Sequence, residues 1–382
     1  NIYGEGTGAI YKENVIQNET TRPSSSSSTF LNTEVLRNQI ESITIEKNNI
    51  VPSDAKYSKD ISSKQDGSVM LWYTDKDNNS LYEVSIGSEN GSLEANTNGS
   101  GMFSYLDNVD TLDLTGLDTS NMTSMSMMFY KSTSLKSIDV SGFDTSKVVN
   151  MIFMFNNCSS LISLDLSSFN TSNVTNMEAM FQNDVNLENI TFGDNFNTSK
   201  VKDMIAMFAS CKKLSYINLS NFDTSNVKEM QSMFYYCENL KSLDLSNFDT
   251  SQVINMYAMF MNCSSLTNLD IGNWDVSNVT DAGFMFYNCS GLVNLEIGDW
   301  NVSSMTCAEY MFSNCSSLTH LDLSSFDLSS LFFYMDIFDS CDELKEVTMP
   351  KNWGVQKDGI ISEFKWCMAH TKVTSWTDIA TG

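Results

Sequence analysis

The sequence predicts an α/β repeat protein: a solenoid of about ten stacked coils with one parallel β-sheet face and an N-terminal capping region that contains a β-hairpin. Three observations predict it. Leu112, Ile138, Leu164, Ile190, Ile217, Leu243, Leu269, Leu295, Leu321 and Val347 form one column, every step being 26 residues except the 27 between Ile190 and Ile217. Met-Phe pairs recur with the same period, from Met128 and Phe129 to Met311 and Phe312. Cys158, Cys211, Cys237, Cys263, Cys289, Cys315, Cys341 and Cys367 hold one common position of their coils. A fixed period over most of a chain marks units that cannot bury their apolar faces alone and must stack.

The coil from Leu243 to Leu266 reads LDLSNFDTSQVINMYAMFMNCSSL, and its parts follow from periodicity. LDLS alternates apolar and polar, so it predicts a short strand with Leu243 and Leu245 inward and Asp244 outward. FDTS predicts a turn, because Asp and Ser side chains can satisfy local backbone groups. Val253, Met256 and Met259 are spaced three apart, which predicts one or two helical or 3₁₀ turns with an inward stripe. The coil is thus strand, turn, short helix and return.

Ends of such a rod are open sheet edges and call for caps. Residues 1–29, with a five-serine run at 24–28, predict a flexible N-terminal segment. Residues 30–101 predict the N-terminal cap: Ile40, Ile43 and Ile45 imitate the repeat's apolar spacing, and 68–86 predicts a β-hairpin. The 26-residue repeats then occupy 102–346. In 347–382, Phe364, Cys367 and Val373 keep the register of Phe338, Cys341 and Val347 while the rest fades, which predicts a degenerate last repeat and C-terminal cap.

Written out, paired apolar residues, then FDTS, then MF and a Cys or Asn turn resemble the BspA-type bacterial leucine-rich repeat surface proteins. LDLSSFNTSNVTNMEAMF (Leu164 to Phe181) and FYNCSGL (Phe286 to Leu292) look like the consensus of their 26-residue lipoprotein-repeat branch. The resemblance covers about Leu112 to Lys372. It implies a right-handed leucine-rich-repeat-like solenoid, an extracellular or cell-surface location, and adhesion or host interaction. No catalytic residue comes with it.

Composition narrows the function classes. A formal net charge of −25 disfavours nucleic acid, since phosphate binding relies on clustered Lys and Arg. No apolar run approaches the roughly 18 residues that span a bilayer, so direct membrane insertion is not expected. Enzymatic activity is not expected either: His320 and His370 are the only histidines, no nucleophile-His-acid order appears, and no glycine-rich phosphate loop follows a strand. The Cys column does not converge as metal ligands must, and it reads as a ladder of buried thiols. Cys307 stands outside the column and is expected near the surface as the reactive thiol. Asp75, Asp77 and Asn79 echo a calcium loop, but Ser80 and Ile86 stand where its Gly and Glu belong, so a hairpin turn is the better reading.

What remains is a binding surface for a protein or glycan on a host or neighbouring cell, or else a structural spacer or self-assembling scaffold. The outward position before each strand varies from coil to coil and includes Tyr216, Asn268, Asn294 and His320. Between residues 242 and 344 there is no Lys or Arg against 14 acids. Asp244, Asp270, Glu296 and Asp322 are expected to stack as one exposed acidic row, each contact costing on the order of 1 kcal/mol in water. Folding gives no evident reason for that row, so these eight residues are the candidate binding site. A basic partner or Ca²⁺ on the acidic face would relieve it. No other cofactor is expected.

Overall fold

In the computed structural model, which describes residues 12–376, the apolar columns stack into one continuous core. The architecture is a β-solenoid. Asn98, Ser124, Asn150, Asn176, Asp203, Glu229, Asn255, Asp281, Cys307 and Phe333 form a column of parallel bridges, each to the equivalent residue of the next coil. The 27-residue step between Asn176 and Asp203 is absorbed without loss of pairing.

The N-terminal region contributes β1 (Ile40–Glu46), β2 (Tyr57–Asp60), β3 (Val69–Thr74) and β4 (Tyr82–Ser88). They form one four-stranded sheet in the order β1-β4-β3-β2. β1 runs parallel to β4, whereas β3 pairs antiparallel with both β4 and β2. Between β3 and β4, Asp77 and Asn79 accept hydrogen bonds from the amides of Asn79 and Leu81, as turn residues do. Buried Arg37 joins this region to the first coil, donating to the carbonyls of Gly101, Met102 and Ser104 and pairing with Glu19 at 2.6 Å. Burial pushes the Arg37 pKa down and the Glu19 pKa up, each offset by the other's charge.

Part of the expected flexible segment, residues 1–11, lies outside the described residues. The serine run is held in a turn: the Ser28 hydroxyl accepts the amides of Ser24 and Ser25, and its carbonyl accepts that of Arg37. Serine hydroxyls here do the local bonding that a linker would leave to water.

The remaining strands are short. They are β5 (Leu93–Glu94), β6 (Thr111–Asp113), β7 (Leu117–Asp118), β8 (Ser137–Asp139), β9 (Ser163–Leu166), β10 (Asn189–Phe192), β11 (Asn268–Leu269), β12 (Asn294–Leu295), β13 (His320–Asp322) and β14 (Glu346–Thr348). One unbroken parallel sheet was the expectation, and the structure corrects it. The strands pair only two by two, as β5-β7, β6-β8, β9-β10, β11-β12 and β13-β14, and the coils of Ile217 and Leu243 carry no assigned strand.

Coils are joined instead through the segment expected to be helical. The amides of Met256, Ala258, Phe260 and Asn262 donate to the carbonyls of Asp281, Gly283, Met285 and Tyr287 in the next coil, at 2.8 to 2.9 Å. The intervening amides of Met259, Met261 and Cys263 donate three residues back. A helix would direct every amide within its own coil. This turn ribbon sends alternate amides outward, which requires left-handed residues at Ala258 (φ 53°) and Asn262 (φ 61°). Asn tolerates that conformation, and it recurs at Asn157, Asn183, Asn288 and Asn314. Apolar residues spaced three apart point inward in a helix and in this ribbon alike, so spacing alone does not separate them.

Inside, three ladders run along the rod. Phe rings stack from Phe103 through Phe129, Phe155, Phe181, Phe208, Phe234, Phe260 and Phe286 to Phe312, with centroids 5.3 to 5.9 Å apart. Thr119, Thr145, Thr171, Thr198, Thr224 and Thr250 are buried. Thr224 shows why a hydroxyl is tolerated there: it donates to the Asp249 carbonyl at 2.8 Å and accepts the Asp249 amide at 2.9 Å. Val276, Val302 and Leu328 take the position in later coils, leaving no hydroxyl to satisfy. The third ladder is the Cys column, whose thiols donate to the preceding coil's Phe carbonyl, as from Cys237 to Phe208 at 3.2 Å and from Cys289 to Phe260 at 3.0 Å.

At the C-terminal end, β14 and the Asp327–Asn352 bridge still pair with the preceding coil, and α1 (Lys357–Met368) follows in place of a further turn ribbon. Phe364 and Cys367 are buried as their register implies, Phe364 standing edge-on to Phe338 at 5.1 Å. α1 uses its amides internally, so the ladder stops. Its Glu363 accepts the Asp336 amide at 2.6 Å, in place of a next-coil carbonyl.

One coil breaks the Cys column. Asp184 stands there fully buried, accepting the Cys158 amide at 2.8 Å through Oδ1, while its Oδ2 has no partner. Burial pushes its pKa well above the ordinary carboxylate range. Such a carboxyl stays protonated in the native state, so stability is greatest below its unfolded pKa and falls as pH rises toward the folded one. Asp184→Cys should raise stability by about 1 to 3 kcal/mol at neutral pH and flatten the decline that sets in as pH rises above about 4 in urea melts. Equal stability and an unchanged slope would refute this account of Asp184.

Candidate binding surface

All eight candidate residues are exposed, and the alternation of apolar and polar residues in each coil accounts for it. Leu243 and Leu245, or Leu269 and Ile271, turn into the core, which sends Asp244 and Asp270 outward. The structure brings some of them together. Asn268 pairs in register with Asn294 across β11 and β12, and His320 with Glu346 across β13 and β14. His320 Nε2 lies 3.3 Å from a Glu346 carboxylate oxygen. Tyr216 is 62% exposed, in a coil without an assigned strand.

The acidic row divides into two kinds of carboxylate. Asp244 accepts the Ser246 hydroxyl at 2.7 Å and its amide at 3.0 Å, which holds its pKa below the usual carboxylate value. Asp322 accepts the Ser324 amide at 2.9 Å. The same motif recurs at Asp113 with Thr115, at Asp139 with Ser141 and at Asp165 with Ser167. Here the expectation needs correction: folding does give a reason for these acids, because each closes the turn after its strand. Asp270 and Glu296 differ. Two residues on stand Gly272 and Gly298, and a Cβ on Gly298 would lie 2.7 Å from Asp322 Oδ2. Among the described residues, neither carboxylate has a hydrogen-bond or ionic partner. They are the two acids in the row left uncommitted.

Other features bear on ligands. Thr111, Asp113, Ser137, Asp139 and Asp165 line a shallow strand-face cleft of about 430 Å³ in the first coils, away from the second-half row. Among the described residues, no three His, Cys, Asp or Glu side chains are grouped as a cation site, so the Ca²⁺ expected on the acidic face has no preformed cage. Among the described residues, no helix is long and apolar enough to cross a membrane.

Sequence reasoning passed over the outward positions of the turn ribbon. Tyr257, Phe284, Tyr287 and Tyr310 lie there as a contiguous set of rings, Phe284 and Tyr310 stacking at 4.7 Å. The signal was available in the 26-residue spacing of the positions between the Met columns, but a helical reading scatters them around an axis.

Cys307 also needs correction. It lies in the bridge column and is half-buried, and its pKa is pushed up to about 11, chiefly by burial. It is therefore no activated thiolate. Iodoacetamide at pH about 8 should modify native Cys307 at least tenfold more slowly than free cysteine, accelerating as pH rises toward 11, and the eight column thiols only after denaturation. Rapid modification of Cys307 near neutral pH would contradict this environment.

Stacked coils and repeated internal ladders define a repeat β-solenoid. The family model described as Mycoplasma protein of unknown function, DUF285, matches residues 97–216, 183–294 and 266–376, and the chain belongs to that family. No curated protein matches the chain.

Proposed function

We infer that the protein is a non-enzymatic binding protein, exported to the bacterial surface or secreted, that engages a protein or glycan of a host or neighbouring cell through the acidic strand face. The carrying observation is the pair Asp270 and Glu296, exposed and uncommitted beside the in-register Asn268 and Asn294. Carboxylates in an exposed row repel one another and draw in a partner with basic groups, while the amides supply donors and acceptors that fix orientation. Export and adhesion are supported by the resemblance of the repeat to the BspA-type leucine-rich surface proteins. A cationic partner protein fits this face better than Ca²⁺, since the row holds its acids side by side and not around one centre.

A second reading, a spacer or self-assembling scaffold, is favoured by the uniform ladders, which make a stiff rod. It requires contact through the ends of the rod, and α1 covers one of them.

The test reverses the uncommitted pair and leaves the turn-closing Asp244 and Asp322 in place. Asp270→Lys with Glu296→Lys should weaken binding to immobilised basic matrix proteins by about tenfold at low salt and flatten the salt dependence. Parent-like binding by the variant would remove the strand face from the account. Concentration-dependent growth of rods in sedimentation, with no retention on any surface, would favour the scaffold.

A further inference from the structure

The turn ribbon of the second half carries aromatic rings, Tyr257 exposed and Phe284, Tyr287 and Tyr310 half-buried, that the strand-face reading does not use. Tyr257 is 39% exposed and meets Phe284 edge-on at 5.7 Å; Phe284 stacks on Tyr310 at 4.7 Å and lies 5.4 Å from Tyr287. The rings therefore run unbroken across three successive coils.

Carboxylates lie among the rings. Asp281 holds its own turn through the Gly283 amide, and its charge, with that of Glu309, reaches Tyr257. Together with burial, which contributes most, these charges push the Tyr257 hydroxyl pKa up. The surrounding stretch from 242 to 344 has no Lys or Arg to neutralise them.

Elsewhere on the same ribbon the molecule supplies its own cations. Lys131 sits over the Tyr130 ring at 5.3 Å, and Lys212 over Tyr236 at 5.9 Å. Tyr130 and Tyr287 occupy the same position of their coils, each directly following a Met-Phe pair. In the second half the Tyr130 position keeps its ring as Tyr287, the Tyr236 position is Asn262, Asn288 and Asn314, and the lysines are gone.

The geometry points to the Tyr257-Phe284-Tyr310 strip, with Asp281 and Glu309, as a docking surface for an arginine- or lysine-bearing segment of a partner protein. A guanidinium would take the place held by Lys131 and Lys212 in the first half, lying against a ring while pairing with a carboxylate. Arginine suits it better than lysine, being planar and more weakly hydrated. A second copy of this chain would bring like charge to like charge, and a neutral glycan would leave the acids unrelieved. The inference rests on the reading of the chain as a binding protein but not on the strand face.

The test titrates the full chain with labelled octa-arginine, octa-lysine and octa-glutamate peptides at about 0.15 M salt. Octa-arginine should bind most tightly and octa-glutamate not at all. Phe284→Ser with Tyr310→Ser, checked for a parent-like circular dichroism spectrum, should lose about tenfold in affinity, and Tyr310→Phe should stay within about twofold. Glu34→Lys with Asp54→Lys, exposed acids of the N-terminal cap, should lose less than about threefold. Should the double serine variant not fold, the unmutated chain still decides. Octa-arginine should shift the ring resonances of Tyr257 and Tyr310 and leave Tyr216 unmoved. Absent binding, parent-like affinity without the rings, or an equal loss from the cap variant would overturn the proposal, as would shifts confined to Tyr216. Failure on the ribbon with retained binding at the strand face would leave the function proposed above intact.

Discussion

Alternate amides of the turn ribbon have their acceptors in the next coil, and the rest of the structure depends on that arrangement. Four such bonds leave the coil of Met256. At about 1 kcal/mol net each, they roughly offset the two left-handed residues that the ribbon needs, which cost about 1 to 2 kcal/mol apiece. The ladder therefore fixes register more than it adds stability. Net stability comes from what the register brings together: the Phe stack, the inward Met residues and the buried thiols, all with almost no exposed surface. A coil one residue out of step would misplace every column at once. This explains why the extra residue after Ile190 is accommodated outside the ribbon, where pairing is sparse.

Much of this was legible in the sequence because stacking writes itself as a period. The Leu column, the Met-Phe pairs and the buried Cys ladder follow from 26-residue spacing alone, and each side chain lies where that spacing puts it. The ribbon was not legible as such. Inward residues three apart suit a helix equally, and what separates the two is where the intervening amides find acceptors. For the same reason a continuous strand face was anticipated although the inter-coil bonding lies elsewhere. α1 was hidden because Phe364 and Cys367 keep the column's side chains on a different backbone.

At the candidate surface, the exposure of the eight residues was legible from the alternation of apolar and polar residues, but their chemistry was only partly so. A row of Asp reads from sequence as accumulated charge. The structure separates Asp244 and Asp322, which close their own turns, from Asp270 and Glu296, whose next-but-one residue is glycine. Serine two residues after an acid is the local signal that distinguishes them. Cys307 and Asp184 show the converse, since each looks ordinary or merely aberrant in sequence and takes its character from burial. A one-dimensional fold keeps its core uniform while its surface diverges, so rows such as these are where coils can differ at little cost to folding.

Hydrogen exchange resolved by residue tests the ladder most directly. The account predicts that the amides of Met256, Ala258, Phe260 and Asn262 exchange at least 100-fold more slowly than those of Leu243 and Leu245, which have no backbone acceptor in this coil. Ribbon amides that exchange as fast as those of the strand would contradict it, because the coils would then be joined by something other than the turn ribbon.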